Sequence, residues 1–278
     1  MAVAFDGFSL SGSSPLGGSF YSTDMAGWLS LSMRRGREGR PRQDGNFPST
    51  GDIDGKSITV SGVATYSSPV SAATERRQLL ALGGRGLSPL TVVDDAGVLT
   101  AMVEVDSLVV TLVHPTMIRF AFALHAPDPL LYGPPTLEST TLASSAGGAG
   151  RVWPRVWPRD WGVPPGVTPG AITAANNGTA AYRPRLRIDG PVTNPAVTFV
   201  ESGDTIRYNA TLAADQWLDI DCGLRSVLLN GSVSARYRTS FTGGAFAVPV
   251  GGGSLTWTAD TADPAATFTV WAYEGAWS

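Results

Sequence analysis

Apolar and polar residues alternate along residues 185–221, and this alternation constrains the fold more than any other feature of the chain. Leu186 and Ile188 alternate with charged residues, and Leu218 and Ile220 repeat the pattern near the end of the stretch. One apolar side chain at every second residue is the period of a half-buried strand. Gly-Pro and Asn-Pro dipeptides interrupt the alternation with turn chemistry. The stretch therefore predicts short antiparallel strands in the middle of a β-sandwich.

Length and composition predict two β-rich domains. The chain has 278 residues, which exceeds the usual size of one domain. Charged residues make up 15% while Gly and Pro number 33 and 20, a balance typical of a turn-rich all-β protein with little helix. The formal net charge of −3 gives no general reason to expect a nucleic-acid partner.

The single cysteine, Cys222, excludes an intrachain disulfide and a thiolate metal framework, and we expect it to be a buried apolar residue. The N-terminus lacks the basic and apolar segments of a signal peptide. No stretch approaches the ~20 apolar residues of a membrane helix. We therefore expect a soluble protein that is made in a cytoplasm and needs no cofactor.

One segment changes from the strand period to the helix period. Glu75, Leu79 and Leu82 lie on one face of a helix that spans residues 71–82. Ser71 is the predicted N-cap, and Gly83-Gly84 is the predicted left-handed exit. This is the only helix that the sequence predicts.

Strand patterns and a break in them set the predicted organisation of the first half. Four strands are predicted as a meander, with a turn at Asp106-Ser107 between the second and third; they span residues 90–93, 98–105, 108–113 and 117–124. Half of residues 126–135 are Pro or Gly, which predicts a boundary between domains at residues 1–133 and 134–278. In the second domain, Trp217, Trp257 and Trp271 fall in or beside predicted strands and are predicted core residues.

Arginines cluster near residue 40. The cluster consists of Arg34, Arg35, Arg37, Arg40 and Arg42. It could be an arm that contacts phosphates, or a charged loop that grips acidic neighbours in an assembly. No aromatic residues alternate with these arginines, so the assembly interpretation is favoured.

A short tandem repeat, RVWPRVWPRDWG, spans residues 151–162. Trp153, Trp157 and Trp161 recur every four residues with arginines between them, and the prolines favour an extended path over a helix. Stacked Trp and Arg could bind sugars or single-stranded nucleic acid, or could pack against the sandwich or a neighbouring subunit. Packing or assembly is the favoured interpretation.

The second half resembles the distal tail proteins of long-tailed, non-contractile (siphovirus-type) bacteriophages. The motifs that carry this resemblance lie at residues 176–179, 184–188, 190–195, 208, 212, 218–221 and 229–231, with a junction at 128–133 and a segment at 55–62 in the first half. The most specific is Gly-Pro-x-x-Asn-Pro at residues 190–195, followed by a strand that ends in Ile220-Asp221. None of these motifs is an active-site signature.

The resemblance implies an all-β fold with minor α: an N-terminal tail-tube-like β belt domain with one helix, and a C-terminal galectin-like or carbohydrate-module-like β-sandwich. It also implies a hexameric ring at the tail tip of the virion. The ring would join the tail-tube protein to the tail-tip hub and the receptor-binding or fibre proteins, and DNA would only pass through its lumen.

Two other functions compete with this structural role. A carbohydrate-binding module could use Trp153, Trp157 or Trp161 as a stacking platform for host glycans. An enzyme could use Asp219 and Asp221, which lie two apart on a predicted strand and so share a face. Acids at that spacing on an exposed strand are usually solvated, and the sequence shows no convergent set of titratable groups. A structural protein without enzymatic activity is therefore the leading prediction.

Overall fold

The computed structural model describes residues 1–14, 16–36, 38–44, 46–47, 49, 51–142, 170–244, 246–263 and 265–278. The chain divides into two compact units, Met1–Pro134 and Pro135–Trp277. We call them the N-terminal unit and the C-terminal unit. Each unit is built mainly from antiparallel strands, and α1 (Pro69–Leu82) is the α-helix of the described residues.

The N-terminal unit contains α1 and eleven strands. These are β1 (Ala2–Phe5), β2 (Phe8–Ser9), β3 (Gly12–Ser13), β4 (Gly18–Ala26), β5 (Met33–Arg34), β6 (Asp52–Ile53), β7 (Lys56–Tyr66), β8 (Ser88–Asp94), β9 (Gly97–His114), β10 (Met117–Ala126) and β11 (Leu131–Tyr132). The main sheet has the order β2-β1-β8-β9-β10-β7-β4-β3, and β11 also pairs with β9.

Aromatic side chains fill the core of the N-terminal unit. Phe20, Phe120 and Phe122 are almost fully buried, and the ring centroids of Phe20 and Phe120 lie 5.8 Å apart. Phe120 and Phe122 belong to β10, whose inward positions alternate with outward ones as the period-two pattern predicts.

One predicted turn is wrong. β9 runs without a break from Gly97 to His114, through the Asp106-Ser107 site. Opposite Ala123 and Leu124 of β10, the register skips Asp106, which leaves it as the extra residue of a β-bulge. A bulge shifts the side-chain alternation by one residue and keeps the strand continuous. The change of pattern that indicated a turn is therefore a bulge.

The helix face is as predicted, but its two ends are not. Glu75, Leu79 and Leu82 are buried. The N-cap is Ser68, whose Oγ accepts a hydrogen bond from the Ser71 backbone N–H at 3.1 Å. The N-cap lies three residues before the predicted one because proline at position 69 is compatible with a first helical turn. At the other end Gly83 has φ −64°, so the exit is right-handed.

The C-terminal unit contains the remaining strands. These are β12 (Pro135–Thr141), β13 (Ala171–Ala174), β14 (Arg185–Asp189), β15 (Val192–Thr193), β16 (Ala196–Phe199), β17 (Thr205–Tyr208), β18 (Thr211–Leu212), β19 (Trp217–Asp221), β20 (Ser226–Leu229), β21 (Val233–Ser234), β22 (Thr239–Thr242), β23 (Gly253–Thr258), β24 (Thr261–Ala262), β25 (Thr267–Tyr273) and β26 (Ala276–Trp277).

Two sheets of the C-terminal unit form a β-sandwich. The larger has the order β12-β25-β14-β19-β20-β21, and the other has the order β13-β23-β16-β17-β22. Trp257 of β23 and Phe268 of β25 meet between them, with ring centroids 5.9 Å apart. Trp257 is therefore core, as predicted. Trp217 and Trp271 are only half-buried, because they occupy outward positions on the larger sheet.

Candidate assembly surface

A long arm connects β4 to β7 in the N-terminal unit. The chain leaves the sheet after Ala26 and returns at Lys56. Between these points β5 and β6 pair as a short antiparallel ribbon, and an isolated bridge joins Gly39 to Asn46 further out. The two halves of the arm therefore pair with each other at these points instead of forming an unpaired loop.

Close packing holds the root of this arm. Gly27 has φ +84°, and a Cβ there would lie 2.0 Å from the Ser57 carbonyl oxygen, so only glycine fits. Trp28 is 5% exposed, and its carbonyl oxygen accepts a hydrogen bond of 3.5 Å from Nζ of Lys56. Burial lowers the pKa of Lys56, and the nearby Asp128 carboxylate opposes that shift. The root is thus an ordered part of the unit.

The outer part of the arm presents apolar side chains and cations together. Its exposed apolar residues are Leu29, Leu31, Met33, Phe47 and Ile53. Arg34, Arg35 and Arg40 are also exposed. The Arg34–Asp52 ion pair is 3.7 Å long with both side chains more than 70% exposed, so it contributes little stability by itself. The Arg40 guanidinium lies 5.9 Å from the centre of the Phe47 ring.

This mixture differs from a phosphate site. Arginine and large apolar side chains are enriched at protein–protein interfaces. Arg34 also faces an acid across the ribbon, which reduces its field toward a phosphate. Arg37 of the predicted cluster lies outside the described residues. The predicted role of the cluster in subunit contact stays a prediction.

The main sheet of the N-terminal unit ends in two open edges of different sequence. Along residues 104–114, β9 pairs with β10 on one side and has no strand partner on the other among the described residues of this unit. Along residues 21–26, β4 pairs with β7 alone among those residues. Exposed apolar side chains flank both edges: Val109 and Val113 on β9, and Tyr21 on β4. Unpaired backbone groups on edge strands are templates for pairing with another chain.

The acids considered for catalysis are engaged in structural contacts. Asp219 is 9% exposed, which corrects the expectation that it is solvated. Its carboxylate accepts a hydrogen bond of 3.1 Å from the Trp217 indole and lies 3.6 Å from the Arg185 guanidinium. Asp221 accepts a hydrogen bond of 2.8 Å from the Leu224 backbone N–H. Both acids therefore hold neighbouring groups in place.

Other reactive groups are dispersed or protected. Among the described residues, no group of three or more His, Cys, Asp or Glu could hold a metal ion. Cys222 is 3% exposed, and burial raises the pKa of its thiol to about 12. Trp153, Trp157 and Trp161 lie outside the described residues, so their predicted role stays a prediction. None of the described helices has the length and hydropathy that crossing a membrane requires.

The comparisons with known families and structures address this architecture. Residues 177–277 match the family model described as a siphovirus-type tail component, C-terminal domain. The match lies entirely within the C-terminal unit. No curated protein sequence matches the chain.

One solved structure extends the likeness to the N-terminal unit. The Dit protein of phage SPP1, described as a hub of the adsorption apparatus, is 12% identical with a TM-score of 0.62. The match covers 98% of each chain, so the two share a fold. A chain of the phage P2 baseplate in its activated, calcium-containing conformation is 10% identical over 97% of this chain and 90% of its own, with a TM-score of 0.46.

These findings confirm the predicted fold class, all-β with minor α, and the resemblance to distal tail proteins. The family-model match supports a tail component of the siphovirus type. The family is one of structural tail components, which suggests a role other than catalysis.

Proposed function

We propose that this protein forms a closed homohexameric ring at the distal end of the tail tube. Residues 1–133 are the belt domain that closes the ring, and residues 134–278 are the sandwich domain. The ring joins the tail-tube protein to the tail-tip hub and the receptor-binding or fibre proteins. DNA passes through its lumen without lasting contact, and the protein catalyses no reaction.

The two unlike open edges of the N-terminal sheet are the observation that carries this proposal. A cyclic ring repeats one surface of each subunit against a different surface of the next. The β9 edge and the β4 edge belong to the same sheet but differ in sequence, so each can meet the other in a head-to-tail contact. Pairing across the two edges would satisfy the backbone groups that the isolated unit leaves open.

Lysine substitutions on the β9 edge test the ring. We expect Val109→Lys/Val113→Lys to convert rings into monomers, because charged side chains on an edge strand oppose further pairing. The measurement is native mass spectrometry of the full chain together with electron micrographs. Leu224→Lys is the matched control, since Leu224 is 80% exposed in the C-terminal unit and lies on no strand. Closed rings in the folded double variant would contradict this use of the edge.

Charge reversal tests the arm separately. Arg34, Arg35 and Arg40 point toward a neighbouring subunit in this proposal, away from the bore. We expect the triple change to Glu to raise the protein concentration needed for ring formation by about tenfold or more. The circular dichroism spectrum should stay unchanged, because all three side chains are exposed. Rings that form normally but bind DNA less well would instead place the arm in the lumen.

A further inference from the structure

The outer face of the larger C-terminal sheet carries an ordered set of aromatic and charged side chains. Arg185 of β14 lies between Asp221 of β19 and Trp271 of β25 in the register of the sheet. Arg183 and Tyr273 lie one step further along the same face. Arg183 and Arg185 are exposed, whereas Asp221, Trp271 and Tyr273 are half-buried.

These side chains enclose a cavity of about 250 Å³, which we call the Trp271 pocket. Its lining residues are Arg183, Pro184, Arg185, Asp221, Trp271 and Tyr273. Pockets for drug-sized ligands measure roughly 300–1,000 Å³, so this one suits a single six-membered ring with substituents. Aromatic surfaces with a few convergent polar groups are the usual lining of small-molecule sites.

The electrostatics of the pocket select a neutral ligand. The Arg185 guanidinium lies 5.6 Å from the centre of the Trp271 ring and 3.6 Å from an Asp219 carboxylate oxygen. Arg183, Arg185 and Asp221 line the pocket, and Asp219, which lies outside the lining, offsets the charge of Arg185. A phosphate or another anion would meet the Asp221 carboxylate and would find the Arg185 guanidinium already paired. A ligand with many hydroxyl groups can use the donors and the acceptors together.

The position of the pocket in the sheet argues against an extended peptide. β14 lies between β25 and β19, β25 lies between β12 and β14, and β19 lies between β14 and β20. All three strands that contribute to the pocket therefore have a strand on each side, so a peptide cannot add a strand there. The recognition has to come from side chains, and a compact ligand fits that requirement.

We infer that the Trp271 pocket binds one neutral hexopyranose unit of a saccharide. The C–H face of the sugar ring packs on the Trp271 indole, and Tyr273 forms the neighbouring wall. Arg183 and Arg185 donate hydrogen bonds to hydroxyl groups. Asp221 accepts one, since the hydrogen bond from Leu224 occupies only part of the capacity of its carboxylate. This binding site is independent of ring formation.

Titration of the full chain with neutral sugars tests the inference. The probes are methyl hexopyranosides of the gluco, galacto and manno series and their disaccharides, with a hexuronate and inorganic phosphate as charged probes. Binding is followed by isothermal calorimetry and by the indole N–H signals in NMR spectra. We expect saturable binding of at least one neutral sugar, a shift of the Trp271 signal, and no competition by phosphate.

Three variants locate the site. Trp271→Ala should weaken binding by about tenfold or more, in line with the loss of a stacking partner. Arg183→Ala, at an exposed position that cannot unfold the unit, should weaken it severalfold. Tyr237→Ala is the matched control: Tyr237 is 78% exposed in the C-terminal unit and lies outside the pocket, so binding should stay unchanged.

Several outcomes would overturn the inference. Flat titrations across the panel up to the solubility of each sugar would do so, and so would equal losses in Trp271→Ala and Tyr237→Ala. Displacement of the sugar by phosphate would show an anion site instead. A Trp271 signal that changes only when rings or partner complexes form would show that this face is a protein contact.

Discussion

The two units differ in how completely they pair their buried polar side chains. In the C-terminal unit, the side chain of Asn176 is 1% exposed and makes four hydrogen bonds. Its Nδ2 donates to the carbonyl oxygens of Ala180 and Val248 at 2.9 and 3.2 Å. Its Oδ1 accepts from the backbone N–H groups of Gly178 and Ala276 at 3.1 and 3.2 Å. One amide side chain thus ties together three separate segments.

Tyr182 extends this network. Its hydroxyl donates to the Ala175 carbonyl oxygen at 2.9 Å and accepts from the Tyr273 backbone N–H at 3.3 Å. The ring packs edge-on against the ring of Tyr273, with centroids 5.6 Å apart. Both the polar and the apolar parts of this buried side chain therefore have partners.

The N-terminal unit leaves buried polar atoms open. Glu75 of α1 is fully buried, and its Oε2 accepts a short hydrogen bond from the Ser14 hydroxyl. Its Oε1 and the Tyr66 hydroxyl have no hydrogen-bond partner among the described residues. A buried polar atom without a partner costs roughly 1–3 kcal/mol. The helix is therefore attached to its sheet by an incomplete polar network.

This difference separates a more complete unit from a less complete one. Among its described residues, the C-terminal unit leaves only the Trp257 Nε1 buried without a hydrogen-bond partner. The N-terminal unit has open sheet edges, exposed apolar side chains on its arm and unpartnered atoms under its helix. We infer that the N-terminal unit gains more stability from assembly than the C-terminal unit does. Its open strand edges and exposed apolar side chains can be covered by a neighbouring copy.

The largest expected effect is that of Asn176→Ala. The change removes four hydrogen bonds and leaves buried backbone groups unpaired, so we expect the free energy of unfolding to fall by about 4 kcal/mol. The measurement is urea denaturation followed by tryptophan fluorescence, which reports mainly on the C-terminal unit because only Trp28 of the eight tryptophans precedes residue 134. Asn177→Ala, at an exposed neighbour, should change it by less than about 0.5 kcal/mol.

Tyr182→Phe should have the next largest effect. The ring stays, but the Ala175 carbonyl oxygen and the Tyr273 N–H lose their partner, so we expect a loss of about 2 kcal/mol. The same denaturation measurement applies. If the free energy of unfolding fell by less than about 0.5 kcal/mol, the hydrogen-bond network around Tyr182 would contribute little stability. The contrast with the unpartnered polar atoms of the N-terminal unit would then have no energetic basis.

Local pattern predicted the elements better than their connections. The alternation around Leu186 and Ile188 predicted β14, and the period of Glu75 and Leu79 predicted the buried face of α1. Both depend only on near neighbours in the chain. The bulge at Asp106 was missed because a bulge and a turn both interrupt the alternation in the same way.

Features that depend on pairing between residues far apart in the chain could not be predicted from the sequence. Trp217 and Trp271 were predicted to be core, but strand period alone does not say which face of a sheet is covered. The residues that line the Trp271 pocket lie up to 90 positions apart in the chain, from Arg183 to Tyr273, and no local spacing indicates the pocket. The open edges of β4 and β9 follow from the strand order, which is likewise a long-range property.

The smallest expected effect at neutral pH is that of Tyr66→Phe. The Tyr66 hydroxyl is buried without a partner among the described residues, so its removal should change the free energy of unfolding by less than about 0.5 kcal/mol, or stabilise the protein slightly. Tyr182→Phe is the matched control, because it removes the same atom from a hydrogen-bonded site. Losses of equal size in the two variants would contradict the comparison between the units.

At high pH, Tyr66→Phe should change the free energy of unfolding more than it does at neutral pH, and in a definite direction. Burial raises the pKa of Tyr66 above its usual value of 10.0, and the Glu75 carboxylate raises it further. As the pH rises above about 10, the unfolded chain loses the phenol proton while the folded chain keeps it, so the stability present at lower pH is lost. In urea denaturation, the free energy of unfolding of Tyr66→Phe should therefore fall less steeply with pH than that of the natural protein. We expect this difference between about pH 9 and 11, one pH unit on each side of the ordinary phenol pKa. Parallel pH profiles would show that folding does not raise the pKa of Tyr66, and its hydroxyl would then no longer count as a buried polar atom without a partner.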